Sequence, residues 1–142
     1  MKRLISITGP TASGKTALAL NLAHKHGLDI LSFDSREFYR EIPIGTAQPT
    51  KEEQMGIRHW FISSHSIWQP LDVMSFRQQA LPILQQSLDD KSGLVLVGGS
   101  GLYLQALLYG LDAMPDIAPE LRRNIRSWPL DRLQAYLAEK DP

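Results

Sequence analysis

Short apolar runs alternate along the chain with stretches in which apolar residues recur at helical spacing. Four runs predict β-strands, at residues 4–8, 29–33, 59–62 and 93–97. Three stretches predict helices, at residues 15–26, 76–88 and 102–108. The run at 93–97 is apolar throughout, which is typical of a central parallel strand, and we expect the first strand to be buried as well. The alternation of strands and helices predicts an α/β fold, a parallel sheet flanked by helices.

Turn-forming residues mark the ends of these elements. Gly27 is expected to end the first helix and Ser75 to cap the second, inside which Pro82 is a site where a helix kinks. Residues 42–58 contain two prolines and two glycines, and they predict a loop with one helical turn at 51–55. After Gly110 the pattern changes to two arginine-bearing helical stretches, at residues 120–127 and 131–140.

The composition excludes several classes of protein. The 142 residues, 43% of them hydrophobic, suffice for one domain with a core. The chain has no cysteine, which excludes disulfides and thiolate metal sites. Its 15 basic and 15 acidic residues give a net charge of +0, which disfavours a partner bound mainly through a strongly basic surface. No apolar run approaches the ~20 residues of a membrane span, so we expect a cytoplasmic protein with no membrane contact.

Residues 9–16, GPTASGKT, match the phosphate-loop pattern G-x-x-x-x-G-K-[ST] between a predicted strand and a predicted helix. Glycine lets the backbone turn its N–H groups toward phosphate oxygens, and the helix N-terminus adds a partial positive charge. Lys15 offers a cation to the outer phosphate, and the Thr16 hydroxyl is suited to bind Mg²⁺. The predicted phosphate-binding residues are Gly9, Thr11, Ala12, Ser13, Gly14, Lys15 and Thr16.

Two further turns follow predicted strands, DSRE at 34–37 and GGSG at 98–101. Because the carboxyl ends of parallel strands lie at one edge of a sheet, we expect both turns to meet the phosphate loop. An ATP-using P-loop enzyme normally has an acid for Mg²⁺ after its third or fourth core strand. Here the strand at 93–97 is followed by glycines, and the nearest acid at a strand end is Asp34. Asp34 is suited to act as a base, in a kinase as well as in other enzymes, or to cap a helix.

Five segments together resemble the tRNA dimethylallyltransferases (isopentenyl-diphosphate:tRNA transferases). They are GPTASGKT at 9–16, DSREFY at 34–39, IGTAQPT at 44–50, HWFI at 59–62 and VGGSGLYLQALLYGL at 97–111. The phosphate loop alone is common to many families, whereas the other segments are much more specific in this order and spacing. The resemblance extends over nearly the whole chain.

The resemblance implies a P-loop NTPase-like fold and the transfer of a dimethylallyl group from dimethylallyl diphosphate to N6 of the adenine next to the tRNA anticodon. The phosphate loop would then hold the diphosphate of the prenyl donor with Mg²⁺, which explains the missing acid after residues 93–97. Asp34 is the implied general base, and Ser100 would bond the leaving oxygen of the donor. The implied tRNA contacts are Asp34, Ser35, Arg36, Glu37, Ser100 and Arg122.

The chain departs from the family pattern at two residues and in length. Glu37 replaces the usual glutamine, so its contact with the base changes, and Ser100 replaces threonine but keeps the hydroxyl. Members of the family are about twice as long and contain a helical insertion that grips tRNA. We therefore expect a core domain at 1–112 and the start of that insertion at 113–142. Such a fragment would be a monomer that binds diphosphate but transfers the prenyl group poorly or not at all.

Three alternatives stay open on the sequence. The first is a small kinase that uses ATP, with Asp34 as its base. The second is prenyl transfer to free AMP, ADP or ATP, as in cytokinin-forming relatives of the family. The third is a non-catalytic module that binds a nucleotide or RNA. Asp34→Asn separates the enzymes from the module, because it should abolish transfer while binding persists.

Overall fold

The computed structural model describes residues 2–90, 93–112 and 115–141. Its strands are β1 (Arg3–Thr8), β2 (Asp29–Ser32), β3 (His59–Trp60) and β4 (Gly93–Gly98). Its helices are α1 (Lys15–His26), α2 (Val73–Asp90), α3 (Gly101–Tyr109), α4 (Pro119–Arg126) and α5 (Leu130–Lys140). The chain divides into two compact units, Met1–Leu111 and Asp112–Pro142, and the first contains the sheet.

The four strands pair in parallel, in the order β1-β4-β2-β3. As predicted for a central strand, β4 is buried along its whole length. The prediction of a buried first strand is wrong, since β1 is an edge strand among the described residues and its Leu4 is 41% exposed. An apolar run marks a strand, but its place in the sheet depends on which strands pair with it.

Helices cover both faces of the sheet, which confirms the predicted α/β fold. Successive residues of β4 point to opposite faces. Leu94 and Leu96 pack in one cluster with residues of α2 and α3, whereas Val95 and Val97 pack in another with residues of α1. The carboxyl ends of β1, β2 and β4 therefore lie at one edge of a layered core, where their following turns are brought together.

The helix ends are fixed by different groups. Helix α1 has the predicted bounds and ends at Gly27, whose φ of 64° is in the left-handed region. The prediction that Ser75 caps α2 is wrong, because Asp72 Oδ1 already accepts hydrogen bonds from the N–H groups of Met74 and Ser75, at 2.9 and 2.8 Å. Helix α2 continues through Pro82 to Asp90. Among the described residues, no helix has both the length and the apolar character that crossing a bilayer requires.

Strand β3 is shorter than the predicted run at 59–62. The strand ends at Trp60 because Phe61 adopts a φ of 65°, which turns the backbone out of the ladder. The Phe61 side chain is instead buried in an aromatic cluster, with its ring centroid 5.8 Å from that of Phe38 and 4.8 Å from that of Phe76. Phe38 directly follows the DSRE turn, so this cluster anchors one end of the turn in the core.

The second unit contains α4 and α5, and none of its described residues is fully buried. Its main tertiary contacts involve Trp128, over which the Arg132 guanidinium lies 3.9 Å from the ring centroid. The ring of Tyr136 meets the ring of Trp128 edge-on, at 5.4 Å. Among its described residues, the unit is thus held by local helix formation and by the contacts around Trp128.

Candidate active site

The phosphate loop connects β1 to α1 and is exposed along most of its length. Ala12 and Gly14 have left-handed φ values of 62° and 81°. Such residues among right-handed neighbours turn successive N–H groups into the concave side of a loop, which is a binding surface for anions. Helix α1 begins immediately afterwards at Lys15, so its unpaired N–H groups face the same space.

Lys15 is tethered to its own loop. Its Nζ donates to the carbonyl oxygen of Pro10 at 2.6 Å, and Ser13 Oγ donates to the same oxygen at 2.8 Å. No carboxylate among the described residues lies within salt-bridge distance of Lys15. The positive charge of Lys15 is therefore available to an incoming phosphate, with which a charge-assisted hydrogen bond is stronger than one with a neutral carbonyl.

Asp34 is oriented from two sides. Its Oδ1 accepts a hydrogen bond from the N–H of Arg36 at 3.1 Å, within a turn. The alternative that Asp34 caps a helix is wrong, because residues 35–38 form a turn and no helix begins there. Its Oδ2 accepts from the N–H of Gly99 at 3.2 Å, in the turn after β4. These two bonds fix the carboxylate at the edge of the sheet and leave further lone pairs free to accept a proton.

Ser35 and Ser100 join the same two turns. The N–H of Ser35 donates to Ser100 Oγ at 3.0 Å, and the two hydroxyl oxygens are 3.1 Å apart. The expected meeting of the turns at 34–37 and 98–101 is confirmed by these contacts. Since Ser100 Oγ accepts from the backbone, its own O–H proton can be donated to Ser35 or to a ligand oxygen.

A cavity of about 140 Å³ lies between the phosphate loop and Asp34, and Ser35 and Ser100 are not among its lining residues. Its lining residues are Thr11, Ala12, Lys15, Thr16, Asp34, Arg36, Glu37, Gly45, Thr46, Ala47, Val97 and Gly98. Gly45, Thr46 and Ala47 are not among the site residues predicted from the sequence. The signal for them is the IGTAQPT segment at 44–50, which contains all three and is one of the segments that carry the family resemblance.

Glu37 is a second carboxyl in this cavity. Its Oε2 accepts a hydrogen bond from the buried Ser32 hydroxyl at 2.7 Å. Burial raises the pKa of Glu37, and the negative charge of Asp34 raises it further, against the opposing effects of Ser32 and Lys15. The carboxyl is therefore held inward beside Asp34, and the tRNA contact expected at Glu37 stays a prediction.

The donor atoms in the cavity suit Mg²⁺, which prefers oxygen ligands and retains several waters. Thr16 offers a hydroxyl, and Asp34 and Glu37 offer carboxyl oxygens. The described residues contain no group of three or more histidines, aspartates or glutamates placed to hold a metal ion. An ion at Thr16 would therefore take its other ligands from a bound diphosphate and from water.

Arg122 lies on α4 in the second unit, where its side chain is exposed. The neighbouring Arg123 pairs with Glu120 at 3.0 Å, as a solvated helix face would. The tRNA contact expected at Arg122 stays a prediction.

Comparisons with known proteins find one family model and a set of similar proteins. A family model described as IPP transferase matches residues 37–142. The tRNA dimethylallyltransferase of Flavobacterium johnsoniae is 40% identical over 146 residues, an alignment that covers 100% of this chain and 47% of that protein. The tRNA dimethylallyltransferase of Synechococcus sp. (strain WH7803) is 46% identical over 141 residues, covering 98% of this chain and 45% of that protein. The chain spans about half the length of the curated relatives it matches.

Solved structures agree on the fold. The full-length tRNA isopentenylpyrophosphate transferase of Bacillus halodurans has a TM-score of 0.75 at 30% identity, over 100% of this chain and 48% of that one. A eukaryotic dimethylallyltransferase acting on tRNA has a TM-score of 0.81 at 24% identity, over 100% of this chain and 36% of that one, and it supports the fold alone. The family-model match begins at Glu37, whereas these structural matches also cover the phosphate loop and Asp34.

Proposed function

This chain belongs to the IPP transferase family, and on that premise we propose that it binds dimethylallyl diphosphate and takes part in transferring the dimethylallyl group to N6 of an adenine beside the tRNA anticodon. Two relatives described above are named tRNA dimethylallyltransferases, which supports this donor and this acceptor. The observation that carries the proposal is that Lys15 and Asp34 line the same cavity. This shared cavity supports Lys15 as the cation for the leaving group and Asp34 as the base for the incoming amine.

The phosphate loop would act on the leaving group. As the bond between C1 of the donor and its oxygen breaks, negative charge grows on the diphosphate. The N–H groups of residues 11–16 and the Lys15 ammonium are placed to stabilise that charge, once Lys15 exchanges the Pro10 carbonyl for a phosphate oxygen. Mg²⁺ bound near Thr16 would supply further neutralisation of the diphosphate charge. The Ser100 hydroxyl, whose oxygen lies 3.1 Å from that of Ser35, would turn its proton toward the leaving oxygen.

Asp34 would act on the acceptor. The adenine N6 forms its new bond to C1 while the C1–O bond breaks, and the nitrogen must then lose a proton. Asp34 accepts that proton, because its carboxylate lines the cavity and is held in place by Arg36 and Gly99 N–H groups. Ser35 and Arg36, on the same turn, are placed to contact the RNA around the target base. An adenine reaches such a site only when it is turned out of its stack.

The chain has no acid directly after β4, where an ATP-using enzyme normally has one for Mg²⁺. The strand ends at Gly98 and is followed by Gly99, Ser100 and Gly101. Gly98 itself has no room for a side chain, since an added Cβ would lie 2.7 Å from the backbone nitrogen of Asp34 and 2.7 Å from the Phe33 ring. The missing acid disfavours the small-kinase alternative.

Calorimetric titration tests the donor. With Mg²⁺ present, dimethylallyl diphosphate should bind more tightly than ATP, and Lys15→Ala should weaken its binding by at least tenfold. Transfer is then measured with an unmodified anticodon stem-loop, and free AMP is added as a competing acceptor. Asp34→Asn should keep donor binding and abolish any transfer, with Asp89→Asn on the exposed end of α2 as the control. Preference for ATP, or for AMP as acceptor, would overturn the corresponding part of the proposal.

Both proposed substrates are water-soluble, and a cytoplasmic monomer would have access to them. Size-exclusion chromatography with light scattering checks the oligomeric state, and a dimer at micromolar concentration would contradict this part of the proposal.

A further inference from the structure

A second cavity, of about 530 Å³, lies next to the first in the same compact unit. Its lining residues are Pro43, Ile44, Gln48, Pro49, Thr50, Lys51, Gln54, His59, Ile62 and Ser63. Its volume falls in the range of ~300–1,000 Å³ that is usual for ligand sites. None of these residues was assigned a functional role from the sequence.

One segment, at residues 43–49, forms part of both cavities. Gly45, Thr46 and Ala47 line the first, and the residues on either side of them line the second. The segment is held by hydrogen bonds, since Thr46 Oγ1 donates to the Ile42 carbonyl and Gln48 Nε2 to the Tyr39 carbonyl, both at 2.8 Å. Ser63 also donates to the Gln48 side chain, which ties the segment to the chain after β3. The segment at residues 43–49, held by these hydrogen bonds, therefore forms a wall between the two cavities.

The second cavity presents apolar groups to a ligand. Pro43, Pro49 and Ile62 contribute rigid or branched surfaces, and Ile44 is 95% exposed at the same wall. Flat aromatic rings, including nucleobases, pack well on such surfaces, and proteins use isoleucine and proline to hold bases out of their stacks. These side chains suit the face of a base.

His59 adds a hydrogen-bond acceptor. Its Nδ1 lies 2.9 Å from the carbonyl oxygen of Ile57, and since a carbonyl can only accept, Nδ1 carries the proton. Burial lowers the pKa of His59, which favours the neutral ring with a lone pair on Nε2. That Nε2 is buried and has no hydrogen-bond partner among the described residues. A ligand with an N–H or O–H group would supply the missing donor.

Lys51 adds a cation at the same cavity. It forms no salt bridge with the described residues, and its side chain is exposed. An apolar wall, an unpaired acceptor and a free cation match the three parts of a nucleotide, which are the face of a base, its polar edge or ribose hydroxyl, and a phosphate.

We propose that the second cavity binds a nucleotide of the acceptor RNA that is adjacent in sequence to the target adenosine. This inference rests on the proposed function and names a second contact for its acceptor. The wall at 43–49 holds the two nucleotides apart, with the target base beside Asp34 and its neighbour against Ile44. An N–H or O–H of that neighbour donates to His59 Nε2, and its phosphate contacts Lys51.

The test compares three RNA hairpins: an intact unmodified anticodon stem-loop, and the same hairpin with an abasic nucleotide on one or the other side of the target adenosine. The wild-type chain should bind one of the abasic hairpins roughly fivefold or more weakly than the intact hairpin, as expected for the loss of one packed base. Ile44→Ala should reduce this discrimination by at least half. Lys51→Ala should weaken binding of all three hairpins. It should also reduce the slope of log affinity against log salt concentration by about the amount that one phosphate contact contributes.

Two substitutions at His59 isolate the acceptor. His59→Asn keeps a donor near the Ile57 carbonyl but removes the acceptor at the position of Nε2. This variant should lose the difference in affinity between the intact and the abasic hairpin. His59→Gln keeps an amide oxygen near the position of Nε2, and this variant should retain most of that difference. Each variant must match the wild type in its melting temperature and in its affinity for inorganic diphosphate, because none of these residues lines the first cavity.

The ¹⁵N resonance of His59 Nε2 provides a readout that does not depend on variants. It should move to lower frequency when the intact hairpin is added, as a lone pair accepts a hydrogen bond, and should not move with inorganic diphosphate. The inference is overturned if both abasic hairpins bind as tightly as the intact one, or if the resonance does not respond. A failure of the proposed function would show instead as the absence of donor binding, which the diphosphate titration reports separately.

Discussion

The two glycine-rich turns of the core use glycine for opposite reasons. In the phosphate loop, Gly14 has a φ of 81° and a Cβ added to it would meet nothing within 4 Å. In the turn after β4, Gly98 is buried and its φ is not positive, but an added Cβ would lie 2.7 Å from the Asp34 nitrogen and 2.9 Å from the Phe33 carbonyl carbon. The first glycine is needed for its backbone conformation, and the second for the space it leaves.

This difference follows what each turn does. The phosphate loop is exposed and must aim its N–H groups at a ligand, so its glycine sits in open space. The second turn must bring Gly99 and Ser100 against Asp34 and Ser35, so its glycine allows two chain segments to touch. Turns of similar composition thus serve binding in one case and assembly of the site in the other.

The largest expected effect is that of Gly98→Ala. The added methyl must displace backbone atoms of Phe33 and Asp34, which follow β2, and we expect a loss of about 3 kcal/mol in the free energy of unfolding. Chemical denaturation measures this value. Gly101→Ala is the matched control, because nothing lies within 4 Å of its Cβ position and it begins helix α3, so its stability should be unchanged or slightly higher. Equal stability of the two variants would contradict the packing explanation.

Gly14→Ala should have a smaller effect on stability and a larger one on binding. The cost of a left-handed alanine is about 1–2 kcal/mol, with no steric clash to add to it. Relaxation of the loop away from φ 81° should weaken the affinity for diphosphate at least tenfold, measured by calorimetry. Gly14→Asn should be the milder variant in both measurements, since asparagine tolerates this conformation better. If alanine were the milder of the two, steric rather than conformational effects would dominate.

Ser100→Ala should cost about 1 kcal/mol, because the N–H of Ser35 loses its acceptor. Ser100→Thr keeps the oxygen and restores the residue usual in the family, and its stability should lie within about 0.5 kcal/mol of the wild type. Thermal melting of the three proteins checks the order. A threonine variant as unstable as the alanine variant would show that the hydroxyl does not join the two turns.

The smallest expected effect is the pH dependence of Glu37→Gln. The pKa of Glu37 is raised in the folded state above the ordinary value of 4.5 for this carboxyl. Folding therefore becomes less favourable as the pH rises from 4.5 through the raised pKa. The variant lacks this penalty, so its stability relative to the wild type should increase over that window and then level off. Glu41→Gln is the control of opposite sign, since the Ser66 hydroxyl lowers the pKa of Glu41. A flat difference for Glu37→Gln from pH 4 to 8 would contradict the effect of burial.

Local patterns predicted most of the elements. The bounds of α1 follow from its helical spacing and from Gly27, and the phosphate loop from eight consecutive residues. Signals that lie between residues distant in the chain were missed. Phe61 leaves the β3 ladder, and its ring packs with that of Phe76 in the aromatic core. The Asp72 cap of α2 is different, because it is a local signal, three residues from Ser75, that the sequence itself contains. The second cavity was not predicted at all, since its lining comes from both a loop and the chain around β3.

By itself, the amino-acid sequence determined the α/β order of elements, the phosphate loop and the family resemblance, because each depends on spacing within a short stretch or on the order of such stretches. Only the tertiary structure decided that β1 is an edge strand of the described sheet, that Gly98 leaves room for Asp34, and that Glu37 is half-buried beside it. The contact between Ser35 and Ser100 joins residues 65 positions apart. Such contacts depend on the packing of strands against each other, and no local pattern of residues encodes that packing.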